Sequence, residues 1–85
     1  MQVIVTPQAQ KQYLHLPQPE QKKIKRKLAV LEQSPQAGKK LSGNLAQIRS
    51  LRAWPYRILY YIDSKRDTIF VVTIAHRQGV YGKTR

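Results

Sequence analysis

The chain of 85 residues contains no cysteine, and its 16 lysine and arginine residues against 4 aspartate and glutamate residues give a formal net charge of +12 at pH 7. This length supports one small domain with a single core, and we expect residues 1–85 to form it. The lack of cysteine excludes disulfides and fits a reducing compartment. The charge is far more than solubility needs, and it indicates a polyanionic partner, of which nucleic acid is the commonest.

The beginning of the chain shows no targeting or membrane signal. The first residues, MQVIVTPQ, contain neither a basic leader nor a long apolar run. No stretch of the sequence approaches the ~20 apolar residues of a membrane span. We therefore expect a cytoplasmic protein without a membrane partner.

The first predicted elements are a short strand and two helices. The apolar run QVIV at residues 2–5 predicts a strand, after which Thr6 offers an N-cap and Pro7 suits the first helical position. One helix is expected over residues 7 to about 16. A second helix is expected to start near Pro19 and to end at Ser34-Pro35, because proline interrupts a helix.

The second helix has an apolar stripe and a strongly basic remainder. Ile24, Leu28 and Leu31 recur at helical spacing and predict a face that lies on a sheet. Most of the other positions are cations, namely Lys22, Lys23, Lys25, Arg26 and Lys27. The sequence leaves two interpretations of these cations open: a solvated helix face, or a surface that contacts phosphates or an acidic partner.

Three strands are predicted after a loop that contains Gly38, Lys39 and Lys40. They cover residues 45–53, 56–62 and 68–75, where β-branched, aromatic and aliphatic side chains dominate. The polar residues 63–67 predict a hairpin loop, so the last two strands should pair antiparallel. The residues after Tyr81 are too few for another element and predict a basic tail.

Side chains alternate across a strand, so the sequence also predicts faces. Arg57, Leu59 and Tyr61 should share one face of their strand, and Ile58 and Ile62 mark the other face as the core side. In the last strand, we expect one face to carry Phe70, Val72 and Ile74, and the opposite one, on the side of Arg57, to carry Val71, Thr73, Ala75 and Arg77. Either Arg49 or Arg52 joins Arg57, and alternation alone does not decide between them.

The sequence offers few groups for catalysis. The four carboxylates, Glu20, Glu32, Asp63 and Asp67, fall in predicted helix or turn positions, which removes the usual acid–base pair and the carboxylate cage of a two-metal nuclease. Two separated histidines do not predict a zinc site, and no glycine-rich nucleotide motif is present. We therefore expect neither a metal nor a cofactor.

The side chains that remain for chemistry are arginine, histidine and tyrosine. Arginines can stabilise charge that builds on a phosphate, and tyrosine or histidine can transfer protons. RNA brings its own nucleophile, the ribose 2′-hydroxyl, so such a site needs no metal. Arg57 is the strongest candidate because a charge inside an apolar run needs a partner and acids are scarce. Arg77 could instead mark an exposed strand end, and Tyr81 could be a packed aromatic.

The run LRAWPYRILYYI, followed some twenty residues later by HRQGVY, resembles the RelE/ParE superfamily of toxins from type II toxin–antitoxin systems. The resemblance implies an α+β fold in which two N-terminal helices pack on a small, mainly antiparallel sheet of about four strands. RelE-like members are ribosome-dependent mRNA interferases that use the 2′-hydroxyl for attack on the adjacent phosphate. ParE-like members inhibit DNA gyrase.

The resemblance also implies roles for individual residues. Arg57 is similar to the arginine that binds phosphate, Arg77 to the one that stabilises the transition state or protonates the leaving group, and Tyr81 to the tyrosine that stacks on the substrate base. His76 lies where several members have a basic residue that contacts phosphate or transfers a proton. The remaining cations assigned to RNA binding are Arg52, Arg49, Lys39, Lys40 and Lys83.

One departure from the RelE-like pattern concerns the general base. RelE-like toxins tend to have basic residues on the strand before the tyrosine–arginine pair, and the aligned positions here are Ile48 and Ser50. Arginine stays protonated and is a poor base, so Arg49 does not replace them. The sequence assigns no general base.

The leading hypothesis is a metal-free endoribonuclease toxin that acts on mRNA on the ribosome, contacts ribosomal RNA and is neutralised by a cognate antitoxin protein. A gyrase inhibitor with the same fold is the alternative, although it would not need HRQGVY intact. A third possibility is a plain nucleic-acid-binding module, for which all lysines would contribute about equally to binding.

Overall fold

The computed structural model describes residues 1–41 and 47–76, which form two α-helices and one five-stranded sheet. The helices are α1 (Pro7–Leu14) and α2 (Gln18–Gln33). The strands are β1 (Gln2–Val5), β2 (Lys39–Lys40), β3 (Arg49–Ala53), β4 (Tyr56–Asp63) and β5 (Thr68–His76).

The sheet is mixed, with strand order β1-β5-β4-β3-β2. Only β1 and β5 pair in parallel, while the other three pairs are antiparallel. The predicted α+β class, with two helices on a mainly antiparallel sheet, is confirmed.

The strand that the sequence missed is β2, whose two residues were expected in a loop. Residues 42–46, which include the start of the predicted strand 45–53, lie outside the described residues.

Both helices begin close to where the sequence predicts. The Thr6 hydroxyl caps α1 by accepting a hydrogen bond from the Ala9 backbone N–H at 3.4 Å, and Pro7 opens the helix. The side-chain oxygen of Gln12 accepts a hydrogen bond from the Ile74 backbone N–H at 2.8 Å and thereby ties α1 to β5.

Among the described helices, none has the length and hydropathy needed to span a membrane.

The core lies between the helices and one face of the sheet. Its buried members are Ala9, Ile24, Leu31, Ala53, Ile58, Tyr60, Ile69, Val71 and Ile74. We call this face of the sheet the helix side. The opposite face, which carries Arg57, Leu59 and Tyr61 on β4, is called the open face, because neither described helix lies on it. The predicted core side of β4 is confirmed.

A bulge in β5 changes the faces that the sequence predicts for that strand. Leu59 pairs with Thr73 and Tyr60 pairs with Val71, so Val72 is an extra residue on β5. Alternation predicted that Phe70 and Ile74 share a face, and this prediction is wrong. Phe70 lies opposite Tyr61 on the open face, and Ile74 is in the core. The expected placement of Val71 on the side of Arg57 is also wrong, since Val71 is buried.

The turns on either side of β4 differ in form. The β3–β4 turn contains Trp54 and Pro55, joined by a cis peptide bond. The predicted loop at residues 63–67 contains a 3-10 helix, Ser64–Arg66, which is capped by the Asp63 carboxylate and followed by Asp67 in a left-handed conformation with φ 52°.

The Tyr60 hydroxyl connects the sheet to the segment that follows α2. It donates a hydrogen bond to the Pro35 carbonyl and accepts one from the Gly38 backbone N–H, both at 2.8 Å. Burial raises the pKa of Tyr60, while the Gly38 hydrogen bond and the charge of Arg49 act in the opposite direction. A Cβ atom at Gly38 would lie 2.7 Å from the Tyr60 hydroxyl oxygen, so this close approach requires glycine. The contact ties the segment just before β2 to β4.

Candidate nucleic-acid interface

The pairing of β3 with β4 decides which arginine accompanies Arg57. In this register Arg52 lies directly opposite Arg57, and directly opposed residues share a face of the sheet. Both side chains therefore project from the open face, where Arg52 is exposed and Arg57 is half-buried. The alternative that the sequence left open is resolved in favour of Arg52.

Two arginines in direct cross-strand pairing repel each other unless an anion lies between them. The four aspartate and glutamate side chains lie elsewhere in the fold: Glu20 and Glu32 on α2, Asp63 at the far end of β4, and Asp67 in the turn after it. Glu20 pairs with Lys23 at 3.1 Å and Asp63 with Arg66 at 3.7 Å, so two of these carboxylates are engaged by other cations. Guanidinium groups bind phosphate oxygens in bidentate fashion, so this part of the open face suits a phosphate group.

The two lysines of β2 lie on different faces. Lys39 is opposite Ser50, which is opposite Leu59, so Lys39 belongs to the open face. Lys40 is opposite Arg49 and belongs to the helix side. Of these two lysines, both of which were expected to bind RNA, only Lys39 is therefore on the face of the arginine pair.

Arg49 has a different environment from Arg52. It lies opposite Tyr60 on the helix side, and its Nη1 donates hydrogen bonds to the Gly38 carbonyl at 2.8 Å and to the Gln36 carbonyl at 3.5 Å. Arg49 thus holds the segment between α2 and β2. The structure does not bring it to the arginine pair, and an RNA contact by Arg49 stays a prediction.

His76 ends β5 on the other face from Arg57. It pairs with Tyr56, while its neighbour Ala75 pairs with Arg57. The exposed His76 ring makes an edge-to-face contact with the Tyr56 ring at a centroid distance of 5.4 Å. The sheet therefore separates His76 from the arginine pair, and its predicted role in proton transfer receives no support from this arrangement.

Three of the predicted site residues, Arg77, Tyr81 and Lys83, lie outside the described residues, and their roles stay predictions. Among the described residues, no group of three or more histidine, aspartate or glutamate side chains could hold a metal ion. The position aligned with one of the missing basic residues, Ser50, is buried with 8% exposure on the open face. Ile48 precedes β3 and is half-buried.

The open face also carries an aromatic pair that alternation along the sequence did not reveal. Tyr61 lies opposite Phe70, and the two rings stack with centroids 5.3 Å apart and an angle of 27° between their planes. Alternation along β4 already placed Tyr61 on the face of Arg57. The bulge at Val72 hid the placement of Phe70, because it shifts the face pattern of β5.

Comparisons with known proteins identify relatives of this chain. The sequence model of a family described as the ParE toxin of the type II toxin–antitoxin system, parDE, matches residues 3–81. No curated protein sequence matches the chain.

Several solved structures share the fold. In the RelBE2 toxin–antitoxin complex from Mycobacterium tuberculosis, the similar chain is 29% identical, with 89% of this chain and 96% of that chain covered and a TM-score of 0.82. The isolated E. coli RelE toxin is 25% identical, with 96% and 92% covered and a TM-score of 0.75. The YoeB/ParE toxin from Agrobacterium tumefaciens, at 19% identity, 89% and 98% coverage and a TM-score of 0.77, supports the fold alone.

Proposed function

The chain belongs to the ParE toxin family of type II toxin–antitoxin systems, and we propose that it inhibits translation as a ribosome-dependent, metal-independent mRNA interferase. The observation that carries this proposal is the direct pairing of Arg52 with Arg57 on the open face. Such a pair is suited to a phosphodiester. The 25% identity to the E. coli RelE toxin over 96% of this chain is consistent with the RelE-like branch.

The proposed reaction is an internal transesterification of RNA. The 2′-oxygen forms a bond to the adjacent phosphorus, the bond from phosphorus to the 5′-oxygen breaks, and the products are a 2′,3′-cyclic phosphate and a 5′-hydroxyl end. The 2′-hydroxyl loses a proton and the 5′-oxygen gains one. Negative charge accumulates on the phosphate oxygens in the transition state, where preorganised guanidinium groups lower the barrier.

Each residue has a proposed part in this reaction. Arg57, half-buried in the sheet, binds the scissile phosphate, and the exposed Arg52 beside it binds the same phosphate or the next one. Lys39 extends the positive charge of the open face. By resemblance, Arg77 stabilises the transition state or protonates the leaving group, and Tyr81 stacks on the base.

We also propose that a cognate antitoxin protein neutralises this toxin. The Mycobacterium tuberculosis relative was solved as a toxin–antitoxin complex. The net charge of +12 would favour an acidic segment in such a partner.

Primer extension on a defined mRNA, with and without programmed ribosomes, tests the activity. We expect discrete cuts that require ribosomes and that Arg57→Ala reduces by about 10²- to 10³-fold, as for other groups that stabilise transition-state charge. Lys11→Ala, which removes an exposed cation on α1, is the matched control and should cut normally. Equal loss of cutting in both variants would contradict a catalytic role for Arg57.

Gyrase inhibition is the second candidate, because the matching family model is that of the ParE toxin. A supercoiling assay with purified gyrase separates the two activities. Inhibition of supercoiling without RNA cleavage would replace the interferase proposal.

A further inference from the structure

The open face has two ends of different chemistry. Arg52 and Arg57 make one end cationic. At the other end, Tyr61 on β4 stacks on Phe70 of β5, which in turn pairs with Ile4 of β1. Both rings are half-buried, and they project away from the core that the described helices cover.

The two ends are connected along a single strand. Arg57, Leu59 and Tyr61 alternate onto the same face of β4, so Tyr61 lies four residues, or about 13 Å, from Arg57. This distance is roughly two nucleotides of an extended single strand. A strand whose phosphate is bound at Arg57 can therefore place a base at Tyr61.

The simplest alternative is that the aromatic pair only stabilises the sheet, as many cross-strand pairs do. That role does not require an aromatic pair on the same face as two arginines. Sheets that bind unpaired RNA combine these two features: aromatic rings stack on bases, and cations neutralise the phosphates between them.

We propose that Tyr61 and Phe70 form a stacking platform for one unpaired RNA base, roughly two nucleotides from the phosphate bound at Arg57. The proposal rests on the proposed function for the class of ligand, since both take RNA as the substrate. Because every base has a π-face, such a platform tolerates any base and has only a modest preference that follows stacking strength.

Binding of an RNA that cannot be cut tests the platform separately from catalysis. The probe is a single strand of about 12 nucleotides, a length within the usual site sizes, with 2′-O-methyl groups throughout and one fluorescent 2-aminopurine. The fluorophore is moved along the strand, one position for each probe. Because stacking on a ring quenches 2-aminopurine, we expect one quenched position that depends on Tyr61, distinct from the position at which a base stacks on Tyr81.

Two substitutions at one residue distinguish stacking from packing. Tyr61→Phe keeps the ring and should bind with nearly the wild-type dissociation constant. Tyr61→Leu keeps an apolar side chain but removes the ring. It should raise the dissociation constant roughly 5- to 150-fold, the usual effect of losing one stacked base. It should also abolish the quenching at the position assigned to Tyr61. Thermal unfolding of both variants shows whether either loss comes from the fold.

Three results would overturn the platform. One is unchanged RNA binding by Tyr61→Leu together with a lower melting temperature, which would leave a purely structural pair. Another is quenching at no position, or equally at all positions. The third is that Tyr61→Leu binds the cognate antitoxin more weakly but binds RNA as the wild type does. If positional quenching depends on Tyr61 while the wild-type protein cuts no mRNA, the interferase proposal fails and the platform stands.

Discussion

Arg52 on β3 and Arg57 on β4 are directly opposed across the antiparallel ladder, and both lie on the face of the sheet that the described helices leave open. Like charges in this position destabilise a sheet by about 0.2–1 kcal/mol. A phosphate bound between them removes that cost, so stability and RNA binding should respond in opposite directions to loss of one charge.

Arg52→Gln should therefore raise the free energy of unfolding by a few tenths of a kcal/mol at low salt and weaken RNA binding. Urea unfolding measures the first effect. RNA binding at several salt concentrations measures the second effect. The plot of log association constant against log salt concentration should become less steep by about 1 if one phosphate contact is lost. Lys11→Gln on α1 is the control, and a fall in slope as large as that of Arg52→Gln would argue against a phosphate contact at Arg52.

Tyr60→Phe should destabilise the protein by about 1–3 kcal/mol, because the buried Gly38 N–H and the Pro35 carbonyl both lose their hydrogen-bond partner while the ring volume stays the same. Urea unfolding measures this change. Tyr61→Phe removes a hydroxyl from the neighbouring position on the open face and should cost much less. Equal losses would mean that the Tyr60 hydroxyl does not hold the segment before β2.

Gly38→Ala should also be destabilising, by about 1–3 kcal/mol, because the added Cβ meets the Tyr60 ring and hydroxyl in a packed environment. The measurement is a double-mutant cycle with Tyr60→Phe, in which contacting residues are non-additive. We expect the double variant to be more stable than the sum of the two single changes predicts. Strict additivity would contradict the close approach of these residues.

The raised pKa of Tyr60, caused mainly by burial, predicts a loss of stability at alkaline pH. The folded state binds the phenol proton more tightly than the unfolded state does. The contribution is therefore complete below the unfolded value of about 10 and is lost as the pH rises through the higher folded value. The urea midpoint of the wild type should exceed that of Tyr60→Phe at about pH 9, and the two midpoints should approach each other at about pH 11.5. A constant difference would contradict the shift.

Lys22 and Arg26 are exposed on α2 and lie four residues apart, a spacing at which like charges repel by about 0.2–0.5 kcal/mol. Lys22→Glu should stabilise the protein, because it replaces repulsion with attraction, and Lys22→Gln should have about half the effect. Thermal unfolding at low and high salt tests this order, and the differences in stability should shrink at high salt.

RNA binding by Lys22→Gln also decides between the two interpretations of the basic face of α2: unchanged affinity would indicate a solvated face.

The sequence by itself determined the elements and the family. Periodicity predicted β1, both helices, β4 and β5 close to their observed positions, because each has a strong local signal such as the cap at Thr6 or the alternation around Ile58. The motif around Arg57, with HRQGVY, led to the RelE/ParE superfamily, which the family comparison confirms. Composition alone indicated a polyanionic partner.

Only the tertiary structure decided which side chains meet. Arg52 rather than Arg49 joins Arg57, and His76 falls on the other face, because strand register depends on partners far along the chain and a shift of one residue reverses every face. The bulge at Val72 is such a shift, and it brings Phe70 to Tyr61. Local sequence carries no signal for that long-range pairing, so these relationships were beyond prediction from the sequence.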